Sequence, residues 1–141
     1  MKTEKFDFSK FISLKKNYDA YMSKALQDKN ISVGHLVFLK ALSTKDFNSQ
    51  QELSEFISCN KAHTSRIVTK LQENGLIQVD NSKSSHIAIN LTEKGKKYAQ
   101  MADKLAKVYI SKIVENINPD DLETFTKVFH QIYENSESLI N

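Results

Sequence analysis

Apolar residues near the start of the chain, Phe8, Phe11, Ile12, Leu14, Tyr18, Tyr21, Met22, Ala25 and Leu26, return at three- and four-residue steps. Lys15, Lys16, Asp19 and Lys24 fall between them, which is the stripe of an amphipathic helix and predicts one long helix ending near Asp28. Ser32 is placed to cap a second helix, where Leu36, Val37, Phe38, Leu39, Ala41 and Leu42 are apolar nearly all round. Such a helix belongs in the centre of a core, and this one stops near Ser43. Ser49-Gln50-Gln51-Glu52 is a capping box that opens a short third helix with Leu53, Phe56 and Ile57 facing inward. After Ser58-Cys59, Asn60 suits the N-cap of a fourth helix, and Asn74-Gly75 supplies its stop. Thr64, Ile67, Val68 and Leu71 form the buried stripe of that helix, opposite Ala62, Ser65, Arg66, Thr69 and Lys70.

Beyond Gly75 the period shortens. Ile77 and Val79 precede a polar run from Asp80 to Ser85, then Ile87, Ile89 and Leu91 alternate with Ala88 and Asn90, which predicts a hairpin. Thr92 caps a long fifth helix carrying Tyr98, Ala102, Leu105, Tyr109 and Ile113. Asn118-Pro119-Asp120-Asp121 starts a sixth, in which Leu122, Phe125, Phe129, Ile132 and Tyr133 share one side. The expected fold class is mainly α with one small β-hairpin, in a single domain of residues 1–141.

Composition narrows the function classes. The chain of 141 residues is 40% hydrophobic and 26% charged, as a folded soluble domain requires. It has no apolar run near the roughly 20 residues that span a bilayer, and its start does not read as a signal peptide, so a cytoplasmic protein is expected. One cysteine, Cys59, cannot form an internal disulfide. His35, His63, His86 and His130 fall on four separate elements without metal-ligand spacing, so no metal is expected. There is no glycine-rich phosphate loop, nucleophile elbow or HExxH motif, so no catalysis and no cofactor are expected. The net charge of +3 is too mild to nominate a nucleic-acid partner by itself. Nineteen of the twenty basic residues are lysine, however, and the single arginine, Arg66, lies on the polar face of the fourth helix.

A short helix, a tight turn and a second helix with one apolar stripe and one small polar face are what reading a major groove requires. Small side chains near the helix start let the backbone approach the bases, and a guanidinium pairs with guanine through two bonds where lysine offers a point charge. Ala62, Ser65, Arg66 and Thr69 fit base contacts, Lys61 and Lys70 fit phosphates, and His63 lies beside them.

The order of elements, with Asn60 through Leu71 in the recognition-helix register and Leu76-Ile77 and Leu91-Thr92-Glu93-Lys94-Gly95 flanking a hairpin, resembles the winged helix-turn-helix of MarR-type (multiple antibiotic resistance regulator) proteins. The resemblance implies a sequence-specific double-stranded DNA-binding regulator, a repressor, with residues 31–95 as the DNA-binding part. It also implies that the long terminal helices, residues 6–29 and 96–141, pair two copies into a homodimer on a pseudo-palindromic operator. Family wings usually carry an aspartate and arginine that enter the minor groove. Here Asp80 to His86 offers only Lys83 and His86, which shifts the expected load to the recognition helix and to Lys94, Lys96 and Lys97. A small-molecule effector cleft among helices one, two and five is a further implication, with Tyr18, Tyr21, His35, Tyr98 and Tyr109 as candidates, although aromatics at this spacing are more often core. Cys59, at the turn into the recognition helix, is the redox candidate, against its plainer reading as a small buried hydrophobe. The rival reading of the whole chain is a winged-helix protein-interaction module that has lost DNA.

Overall fold

The computed structural model describes residues 6–83 and 86–141. Among them are six helices and one antiparallel hairpin: α1 (Ser9–Ala25), α2 (Val33–Thr44), α3 (Gln50–Ile57), α4 (Lys61–Glu73), β1 (Ile77–Lys83), β2 (His86–Leu91), α5 (Glu93–Ile113) and α6 (Pro119–Ser138). The chain divides into two compact units, one reaching Lys107 and the other Val108–Asn141.

In the first unit the core is built from α1 through the start of α5. Met22 and Leu26 from α1 and its end, Phe38 and Leu39 from α2, Leu53 from α3, and Val68 and Leu71 from α4 are all essentially inaccessible. The buried stripe of α4 is Thr64, Ile67, Val68 and Leu71, as its period predicts. Phe47, alone in a polar stretch, is fully buried and pairs with Ile89, whose N–H donates to the Phe47 carbonyl at 2.9 Å. That bridge ties the loop before α3 to the hairpin.

The helix ends follow local chemistry. Ser49 Oγ accepts from the Glu52 N–H at 3.0 Å, and Asn60 Oδ1 from the His63 N–H at 2.7 Å. Two details go beyond the sequence reading. The Glu52 carboxylate accepts from the Asn48 N–H at 2.9 Å, one residue before the cap, and that bond with Lys45 holds its pKa below the usual value. Ser32 is the N-cap of α2 as expected, and the addition is His35, whose Nδ1 accepts from the Ser32 N–H at 3.1 Å to close a capping box.

Two apolar side chains expected inside lie outside. Phe56 is 53% exposed because it packs edge-on against Phe47 at 5.3 Å, with the Lys45 ammonium over both rings. Val37 is also exposed and lines the groove described below. The hairpin strands run further than the apolar alternation, to a Lys83–His86 pair with an irregularity after Asp80. Backbone ladder bonds define a strand, so pairing continues where apolar residues have stopped.

In Val108–Asn141, Asn118 Oδ1 accepts from the Asp120 N–H at 2.8 Å and Pro119 opens α6. No residue of α6 is buried, and the Phe125 and Phe129 rings stack on its surface at 5.7 Å.

Candidate nucleic-acid interface

Helix α4 presents a polar face because its apolar stripe has turned the rest outward. Ala62, Ser65, Arg66 and Thr69 are all exposed, and at 3.6 residues per turn they fall within an arc of roughly 100°. Arg66 makes no hydrogen bond or ion pair among the described residues, so its guanidinium is available to an outside acceptor. Lys61 is exposed at the helix start, while His63 is half-buried with its ring edge-on to Phe38 at 6.1 Å.

The lysines divide. Lys70 is half-buried and lines a small cavity with His35, Asn30 and Ser32, toward the turn between α1 and α2. Lys94 donates to the Asn74 carbonyl at 3.0 Å and lies over the Tyr98 ring at 5.6 Å, so it closes the end of α4. Lys96 pairs with Glu93 at 3.1 Å, and Lys97 is exposed. Lys83 is the last residue of β1, and the wing-tip residues Ser84 and Ser85 lie outside the described residues.

The turn into α4 is fixed by its own bonds. Ser58 takes a left-handed conformation at φ 61°, and the Cys59 N–H donates to Ser54 O at 3.0 Å. The half-buried Cys59 has its Sγ 3.0 Å from Thr64 Oγ1, which gives the thiol a packing role against the core. At the other end, Gly75 at φ 71° lets the Leu76 N–H reach Leu71 O and its own N–H reach Gln72 O, the paired bonds of a Schellman motif. Thr92 Oγ1 donates to Gly75 O at 2.6 Å and accepts from the Gly95 N–H at 3.0 Å, so one hydroxyl joins the end of α4 to the start of α5.

A groove of about 1090 Å³ opens among α1, α2, the base of the hairpin and the first half of α5. Lys15, Lys40, Lys45 and Lys96 line it against Asp46 and Asp103. Lys107 holds the Asp103 carboxylate below its usual pKa, with a smaller contribution from Lys40. Of the aromatic candidates only Tyr18 lines this groove; Tyr21 and Tyr98 pack against the core, His35 opens on the smaller cavity, and Tyr109 belongs to the second unit. Among the described residues no cluster of His, Cys, Asp or Glu could hold a metal, and no helix is long and apolar enough to cross a membrane.

Residues 31–85 match the MarR family. The chain is similar to that family over this stretch. It is 24% identical over 126 residues to the HTH-type transcriptional regulator BilQ of Clostridium symbiosum, with 88% of each chain covered. A MarR transcriptional regulator from Methanosarcina mazei superposes with a TM-score of 0.79 at 25% identity, over 93% of this chain and 90% of that one. Streptococcus pneumoniae FabT, solved in complex with DNA, superposes at 0.80 with 16% identity, over 93% and 95%. The six helices and antiparallel hairpin are thus the MarR winged-helix architecture, with α3 and α4 as its helix-turn-helix and β1–β2 as its wing.

Proposed function

We propose that this protein is a sequence-specific DNA-binding transcriptional regulator that acts as a homodimeric repressor, with α4 as the recognition helix in the major groove. The observation that carries the reading is the exposed face of Ala62, Ser65, Arg66 and Thr69 over a fully packed stripe. Small residues there allow close approach, and Arg66 is the side chain able to grip a guanine through two bonds. Phosphate contacts fall to Lys61, and the hydroxyls of Ser65 and Thr69 serve either bases or backbone. Regulator relatives and a DNA-bound structural neighbour support the same assignment.

The dimer is supported by the second unit, whose Phe125, Val128, Phe129 and Tyr133 are all exposed in the single chain. A second copy of this chain covers them, which presents two α4 helices to half-sites one helical turn, roughly 34 Å, apart. The groove beside α2 supports an effector. Lys15, Lys45 and Lys96 are held by Asp19, Glu52 and Glu93, so Lys40 beside Tyr18 and Val37 is the cation on the wall that suits a small molecule with one acidic group and an apolar body.

The test is fluorescence anisotropy with a duplex selected from a random pool, competed by unselected duplex at roughly 150 mM salt. Selective binding is expected, and Arg66→Ala should weaken it about 5- to 150-fold, the loss of about 1–3 kcal/mol from one bidentate base contact. Equal competition by unselected duplex, or no binding at all, would overturn the reading. Small organic acids added to the same titration read out the effector as release of the duplex.

A further inference from the structure

We infer that Asn74 is a positioning residue for sequence reading: with Asn30 it clasps the C-terminal end of α4 to the turn between α1 and α2. The inference rests on α4 being the recognition helix. Two hydrogen bonds join these residues across 44 positions of sequence. Asn30 Nδ2 donates to Asn74 Oδ1 at 3.2 Å, and Asn74 Nδ2 donates to the Asn30 carbonyl at 3.1 Å. Both ends of the Asn74 amide are therefore engaged, and two bonds to one residue fix an orientation that one bond would leave free to swivel.

The backbone at Asn30 points the same way. It sits at φ 57°, in the left-handed region that glycine enters without strain and asparagine tolerates better than most side chains. Glycine would satisfy the turn but could not supply the amide that reaches Asn74. Asparagine both tolerates this conformation and carries the amide donor that reaches Asn74. At the same helix end, Lys94 Nζ occupies the Asn74 carbonyl from the start of α5. Asn74 is thus the point where the turn before α2 and the first turn of α5 meet the end of α4.

What this clasp controls is the angle of the polar face. Phosphate contacts made by flexible lysines survive a small rocking of the helix, whereas a planar bidentate grip on one base edge does not. Loosening the clasp should therefore lower discrimination among sequences more than it lowers attachment to DNA.

The experiment uses the full chain and measures affinity for a selected duplex and for an unselected duplex of equal length, with Asn74→Ala, Asn30→Gly and the double variant. Asn30→Gly keeps the left-handed backbone, and it lies off α4, so it reports on the clasp even if Asn74→Ala fails to fold. Each single variant should reduce the selected-to-unselected ratio about threefold to tenfold, the net effect of losing one or two hydrogen bonds, while affinity for unselected duplex stays within about twofold. The double variant should lose no more than Asn74→Ala alone, because the one bond that Asn30→Gly removes is among the two that Asn74→Ala removes. An unchanged ratio, a parallel loss on both duplexes, or additive losses would overturn the clasp. If the unsubstituted protein itself shows no preference for the selected duplex, the recognition-helix assignment has failed and not the clasp alone.

Discussion

Helices α4 and α6 carry the same kind of signal, an apolar stripe at helical spacing, yet they end in opposite states. In α4 Thr64 and Leu71 are inaccessible, while α6 has no buried residue and Phe125 is 54% exposed. The period of a stripe reports which face will be covered, not what covers it. In the unit reaching Lys107 the chain covers its own stripes, and in Val108–Asn141 the stripe of α6 stays exposed. Exposed Ile110, Ile113 and Ile117 extend that open surface. The contrast separates a unit whose core is closed within one chain from the part that we propose a second copy covers.

The sharpest way to break this contrast is to charge the open stripe. Phe125→Asp with Phe129→Asp removes two rings, each worth about 1.5–3 kcal/mol when fully buried, and adds charges that a dimer interface would have to desolvate. Association should weaken by two orders of magnitude or more, read by sedimentation equilibrium, while circular dichroism retains the helical signal of the first unit. An unchanged association constant would mean that α6 is not the covered surface.

The reciprocal change acts on the self-covered unit. A Cβ on Gly95 would stand 1.9 Å from Leu76 O, a backbone atom held in place by its bond from the Thr92 N–H at 3.1 Å. Gly95→Ala therefore forces the start of α5 away from the end of α4. The expected cost is about 3 kcal/mol, the upper part of the range for overpacking. At constant protein concentration that is a fall of roughly 10 °C in Tm for a chain of this size. A loss of only a degree or two would show that this junction is looser than the contact implies.

Much of the first unit was legible because its signals are local. Ser49, Asn60, Gly75 and Thr92 mark helix ends through bonds spanning only a few residues, and each does so in the structure. The exposed face of α4 was legible for the same reason, since its buried stripe fixes what turns outward. What escaped depends on partners distant in sequence. Phe47 is a lone aromatic in a polar stretch, and only its bridge to Ile89 explains its burial. Phe56 looked inward by spacing, but Phe47 and Lys45 hold it at the surface. The bond from Lys94 Nζ to Asn74 O and the Asn30–Asn74 pair cross 20 and 44 positions that no periodicity connects. Lys70, on the polar face by spacing, turns toward the α1–α2 turn because its aliphatic stem sits at the edge of that face.

The smallest expected effect tests how tightly the self-covered unit is closed where α2 meets α4. His35 is held below its ordinary pKa of 6.5, first by burial and then by Lys70 and His63 on α4. Its Nδ1 accepts from the Ser32 N–H, so the neutral ring is the form that the fold stabilises, with the proton on Nε2. The unfolded chain binds this proton more readily than the folded one. The stabilising contribution is therefore complete above pH 6.5 and is lost as pH falls from there through the lower folded-state value. Denaturant midpoints of the unsubstituted protein and of His35→Gln, measured at pH 7.5 and 5.5 with protein concentration held constant, isolate the effect. The unsubstituted protein should lose more stability on acidification than the variant, because glutamine has no proton to take up. Equal losses would mean that protonated imidazole is tolerated at this site, and that α2 and α4 are less firmly closed over it than the burial of His35 indicates.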